Sequence, residues 1–80
     1  MVEAGTLEKG DAKITLEESD EREIIVRSKL ERLYGEAIRE TVEEMTSGLN
    51  ARIVVEDQGA LDWVLRARIE AAIRKYRGEE

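Results

Sequence analysis

Residues 23–56 read EIIVRSKLERLYGEAIRETVEEMTSGLNARIVVE, and the changes of period within this stretch decide the fold. It opens on Glu23 to Arg27, a β-branched run centred on Ile24, Ile25 and Val26 that reads as a strand. Leu30, Leu33, Tyr34, Ala37, Ile38, Thr41, Val42 and Met45 then recur at spacings of three and four. That is the apolar stripe of an amphipathic helix of about five turns. Ser28 and Glu31 have the spacing of a capping box, each side chain serving the other's backbone amide. Gly48 is placed to close the helix, and Gly35 inside it is expected to mark a close packing contact. Ala51 to Glu56 alternates, with Ile53 and Val55 on one face and Val54 on the other. Strand, helix and strand in this order form a crossover unit, whose two strands are expected to be parallel.

Working outward, Asp11 to Glu17 also alternates: Ala12, Ile14 and Leu16 point one way, Lys13, Thr15 and Glu17 the other. Period two with one apolar face predicts a half-buried strand. Ala4 to Glu8 is a short edge strand by the same reading, ending in a turn around Lys9-Gly10. The acidic run from Glu17 to Glu21 is too crowded with like charge to pack, and reads as a loop. On the other side, Asp57-Gln58-Gly59 turns the chain into a second helix, from Ala60 to about Arg77. Its stripe is Leu61, Val64, Leu65, Ile69, Ala72, Ile73 and Tyr76, and Gly78 stops it. The predicted fold is a two-layer α+β sandwich of four strands in the order β-β-β-α-β-α, with both helices packed on one face of the sheet. Residues 1–80 make a single domain with a thin core.

Composition narrows the function. The chain has neither Cys nor His, which removes disulfides, thiolate nucleophiles, histidine bases and ordinary zinc sites. No EF-hand spacing is present among the carboxylates, so no metal site is expected. A formal net charge of -6 argues against nucleic acid as a partner. No apolar stretch is long enough for a bilayer span, and the expected location is the cytoplasm. No catalytic constellation emerges. Asp57 and Asp62 flank the start of the second helix, where capping and the positive first turn account for both carboxylates. Glu36, Glu40, Glu43 and Glu44 form an acidic ridge on the outer side of the first helix. Arg66 with Glu70, and Glu70 with Arg74, have ion-pair spacing on the second. Trp63 lies off the apolar stripe, where it covers the sheet edge or anchors a partner.

Four segments carry a resemblance: Gly5-Thr6-Leu7-Glu8 followed by Gly10-Asp11; Tyr34-Gly35-Glu36-Ala37-Ile38-Arg39; Val55 to Asp62; and Ala67-Arg68-Ile69-Glu70-Ala71. In this order and spacing they resemble the acyl carrier (gamma) family of citrate lyase. The resemblance implies a carrier subunit without catalytic residues of its own. It implies partners too, a transferase (alpha) and a lyase (beta) subunit, with Asp57, Gly59, Ala60, Leu61 and Asp62 as a candidate docking segment. It implies, finally, a phosphoribosyl-dephospho-coenzyme A arm joined by a phosphodiester to a serine in the first segment, its thiol carrying the acyl group. A tether of this kind replaces capture from solution by an intramolecular visit, at an effective concentration on the order of millimolar.

The position of that serine holds Lys9 here. An amine cannot replace a hydroxyl in a phosphodiester. Four explanations are open at this point: a member that carries no arm, a chain altered at this position, attachment at Thr6, or modification of Lys9 itself.

Overall fold

The computed structural model describes residues 1–78; Glu79 and Glu80, which the expected domain takes in, lie outside the described residues. The chain forms β1 (Val2–Gly5), β2 (Ala12–Glu18), β3 (Glu23–Ser28), α1 (Glu31–Met45), β4 (Ala51–Asp57) and α2 (Asp62–Tyr76). This is the expected element order. The sheet runs β1-β2-β4-β3, with β3 and β4 parallel as the crossover requires and the other two pairings antiparallel.

Alternation in β2 and β4 makes the two layers. Ala12, Ile14 and Leu16 lie beside Asp57, Val55 and Ile53, and all five apolar members of this group are fully buried. Val42 of α1 and Leu65, Ile69 and Ala72 of α2 close over them in the same cluster. Burying a side chain of this size stabilises by roughly 1.5–3 kcal/mol, so these few positions supply most of the core. The opposite face of the sheet has no helix. There the pleat presents rows of alternating charge: Lys13, Glu56 and Arg27 in one, Glu17, Arg52 and Glu23 in another. The outer strands are guarded from above. Lys75 Nζ donates to the carbonyl of Glu3 on β1 at 2.9 Å, and Arg39 Nη1 donates to that of Ile24 on β3 at 3.2 Å. Cations at exposed strand edges discourage the addition of a further strand.

Several local expectations are corrected. The first strand is Val2–Gly5 rather than Ala4 to Glu8, because Gly5 turns out of extended conformation at φ +89°. The capping box at Ser28 and Glu31 is absent. Ser28 remains in β3, its hydroxyl donates to Asp57, and α1 starts at Glu31 without a side-chain cap. Leu30, Leu33 and Tyr34 are exposed, and α1 buries only Ile38, Thr41 and Val42. Leu61 is likewise exposed, because α2 begins at Asp62 and Leu61 lies outside it. Gly35 marks no packed neighbour: a Cβ there would meet only the side chain of Glu31, one turn back. Arg66 pairs with Asp62 at 2.8 Å and Glu44 at 3.7 Å rather than with Glu70, whereas the pair Glu70–Arg74 forms at 3.2 Å.

Candidate functional site

The loop between β1 and β2 and the first turns of both helices lie at one end of the molecule. Three facts put them there. Gly5 and Ala12, which bound the loop, lie level with the last residues of β4, since Ala12 pairs with Asp57. The parallel strands β3 and β4 both end at this level, where Ser28 pairs with Asp57. Each then feeds its own helix.

The loop is short and heavily braced. Asp11 is its anchor: Arg68 of α2 donates Nε to Oδ1 at 2.8 Å and Nη2 to Oδ2 at 2.9 Å, a two-pronged, charge-assisted pair. The Thr6 hydroxyl donates to Asp11 Oδ2 at 2.7 Å and accepts from the Glu8 amide at 3.2 Å. The Ala12 amide donates to Asp11 Oδ1 at 2.7 Å. Two backbone bonds fasten the loop to the turn before α2: Gly10 donates to the Gln58 carbonyl at 2.7 Å, and Gln58 donates to the Asp11 carbonyl at 2.9 Å. Gly5, at positive φ, lets the chain pass so close to Ala12 that a Cβ would lie 1.8 Å from its carbonyl oxygen. Leu7, Glu8, Lys9 and Gly10 are left exposed at the tip. None of the bracing bonds uses the Lys9 side chain.

The Arg68 guanidinium, with help from the Thr6 hydroxyl and the Ala12 amide, holds the Asp11 carboxyl well below the usual carboxylate range. A depressed folded value means that this brace contributes fully above the unfolded value of about 3.9, and that its contribution falls away progressively as pH drops below it. Protection of the Gly10 and Ala12 amides, as exchange relative to the intrinsic rate at each pH, is therefore expected to fall on acidification from about pH 4. Arg68→Met keeps the stem but removes the charge. It is expected to speed that exchange at neutral pH by about tenfold and to flatten its acid dependence. Identical exchange in variant and parent would show that Arg68 does not hold the loop.

A second buried carboxylate organises the helix starts. Asp57 is 4% exposed. Its Oδ1 accepts from the Ala60 amide at 2.9 Å and its Oδ2 from the Ser28 hydroxyl at 2.9 Å, while Ser28 Oγ accepts from the Leu30 amide at 3.2 Å. One side chain thus sets the turns leading into both helices. Asp57 does satisfy a backbone amide as the sequence suggested, although it lies in front of α2 rather than at its cap, and its tie to Ser28 had no local signal. Asp57→Ala leaves two half-buried donors, the Ser28 hydroxyl and the Ala60 amide, without their acceptor, and is expected to lower the stability in urea by about 1–3 kcal/mol.

Between the first turns of α1 and α2 runs a groove of about 460 Å³, with Leu30, Tyr34, Gly59, Ala60, Leu61 and Asp62 in its walls and Asp57 at its floor. The expected docking segment from Asp57 to Asp62 therefore lines one connected surface, and Gln58 joins that surface to the loop. Seven large apolar side chains are exposed among the described residues. Leu7, Leu30, Leu33, Tyr34, Leu61 and Trp63 belong to the loop end; Met1 alone belongs to the other. Trp63 is 70% exposed, so it does not cover the sheet edge. Arg68 was missed by sequence reasoning as a member of the site. A faint signal existed: its i±4 neighbours are Val64 and Ala72, so its counter-charge had to come from outside the helix. Among the described residues no three His, Cys, Asp or Glu side chains come together as a metal site, and no helix is long and apolar enough to cross a membrane.

An α+β body with one braced, outward loop has the build of a carrier, and the comparisons with known proteins say which kind. The family model described as ACP, malonate decarboxylase delta subunit (MdcD), matches residues 1–76, which places the chain among the acyl carriers, a class of non-catalytic subunits. The citrate lyase acyl carrier proteins of Haemophilus influenzae strains PittGG and 86-028NP are each 39% identical to it over 79 residues, covering 95% of this chain and 83% of theirs. That of strain PittEE is 38% identical over the same span. No solved structure matches. The chain belongs to this acyl carrier family.

Proposed function

We propose that the chain is the carrier-type subunit of a cytoplasmic, citrate lyase-like complex, a single domain over residues 1–80. Larger transferase (alpha) and lyase (beta) subunits hold it, with the Gly5–Asp11 loop turned toward their active sites. The observation that carries this reading is the concentration of exposed apolar side chains at the loop end. Exposed apolar surface concentrated at one end, with Leu30, Tyr34 and Leu61 lining a single groove, marks an interface. The relatives named for citrate lyase supply the kind of complex. Any thioester chemistry resides in the partners and in the group they exchange, since this body offers positioning rather than reacting groups.

The arm that the resemblance implies, phosphoribosyl-dephospho-coenzyme A, does not fit the residues of this loop. Its ester linkage needs a hydroxyl, the tip residue Lys9 has none, and the Thr6 hydroxyl is already engaged as donor and as acceptor. That observation favours a second form of the same reading, in which the subunit keeps its place in the complex but bears no arm.

The test of docking is reconstitution with the alpha and beta subunits of a citrate lyase. Co-elution is expected. Leu61→Glu together with Tyr34→Glu, both at exposed positions, is expected to weaken it by at least about tenfold with the fold intact, because a buried apolar contact becomes an unpaired charge. Failure to associate, or association indifferent to both changes, would sink the reading.

A further inference from the structure

Resting on the reading above, we infer that this chain bears no phosphodiester-linked arm, the lysine at position 9 barring its attachment. A phosphodiester forms when a hydroxyl oxygen attacks phosphorus, the O–P bond forms, the leaving group departs with its electron pair, and the hydroxyl proton is given up to a base. Lys9 offers an ammonium, a donor with no free lone pair. It sits at the exposed tip with Leu7, Glu8 and Gly10, none of which carries a hydroxyl.

The remaining hydroxyls at this end are either hydrogen-bonded within the fold or lie off the loop. Thr6 is the only other candidate on the loop, and its O–H is spent on Asp11 at 2.7 Å while its oxygen accepts from Glu8 at 3.2 Å. Asp11 is a poor base for that proton, because the two hydrogen bonds from Arg68 lower the proton affinity of its carboxylate. Esterifying Thr6 would remove one of the bonds that brace the loop, so this nucleophile is itself a brace. Ser28 donates to Asp57 at 2.9 Å and stands behind the groove, in β3. Tyr34 is half exposed, on a helix and not on the loop.

The loop is otherwise complete. Its glycines at positive φ, its two backbone bonds to Gln58 and its pair with Arg68 are all independent of the side chain at position 9. Restoring a hydroxyl there should therefore restore carriage without disturbing the fold. The test is intact mass, read on the chain isolated with its complex from the cells that make it. It is read again on parent and Lys9→Ser chains co-expressed with the transferase that loads phosphoribosyl-dephospho-coenzyme A onto citrate lyase carriers. The parent is expected at bare mass in both settings. Lys9→Ser is expected to gain one arm per chain, mapped to position 9. An adduct on the parent at Lys9, Thr6 or any other residue overturns the inference while leaving the complex in place. A Lys9→Ser chain that stays bare overturns the claim that position 9 alone bars loading. Absence of the complex itself counts against the reading on which the inference rests, and is scored separately by co-elution.

Discussion

Ile53→Ala is expected to cost about 2–5 kcal/mol, a large part of what a domain of this size has to lose. Ile53 is fully buried in β4, paired with Leu16 on one side and Ile24 on the other, and it belongs to the cluster under both helices. Truncation there removes contacts from the middle strands and opens a cavity that neither layer can collapse to fill. In a domain of 60–100 residues each kcal/mol moves the melting midpoint by roughly 4–8 °C, so a fall of tens of degrees is expected. Ile53→Val, which removes one methylene, is expected to cost only about 0.5–1.5 kcal/mol. Urea and thermal unfolding read both. Near-equal effects from the two substitutions would place Ile53 outside the core.

Gly5→Ala is expected to be the most damaging single change at the loop end. The positive φ alone costs an L-residue about 1–2 kcal/mol, and the added Cβ would lie 1.8 Å from the Ala12 carbonyl oxygen, closer than any side chain can approach a backbone. Relief requires β1 to move away from β2, which breaks the pairing of Gly5 with Lys13 and loosens Thr6 from Asp11. The expected result is early exchange throughout β1 and the loop, with α1 and β3 little affected. Gly10→Ala is the control. It has the same sign of φ but open space around its Cβ position, so it is expected to cost no more than the backbone conformation itself. If the two variants behave alike, the close approach at Gly5 is not what shapes the loop.

The element order was legible because the period of the sequence changes cleanly at each junction. Ala12, Ile14 and Leu16 fall on one side of a pleat, and Ile38 and Val42 on one side of a helix, and the folded chain buries just these faces. What periodicity cannot report is how far the covering layer reaches. Leu30, Leu33, Tyr34 and Leu61 continue the stripes in sequence, yet they run past the end of the sheet, where the chain has nothing to lay over them. Ser28 shows a different limit. Its spacing to Glu31 is that of a cap, but Asp57, a residue 29 positions away, takes the hydroxyl instead. Sheet order was equally out of reach, since nothing local distinguishes β2 beside β4 from β2 beside β3. At the site itself, the segment from Gly5 to Asp11 was recognisable from its resemblance to a family, whereas the rigidity of that segment comes from Arg68, a tertiary partner.

The span of that last contact has a consequence for synthesis. Asp11 and Arg68 are separated by 57 positions, and two of the loop's backbone bonds wait on Gln58. While the chain is emerging from a ribosome, its first segment can pair as a hairpin but has no support from behind until the final helix is out. The braced loop therefore forms only once Gln58 and Arg68 are in place. A product that stops short of Arg68 lacks both side-chain hydrogen bonds that hold Asp11 to the last helix.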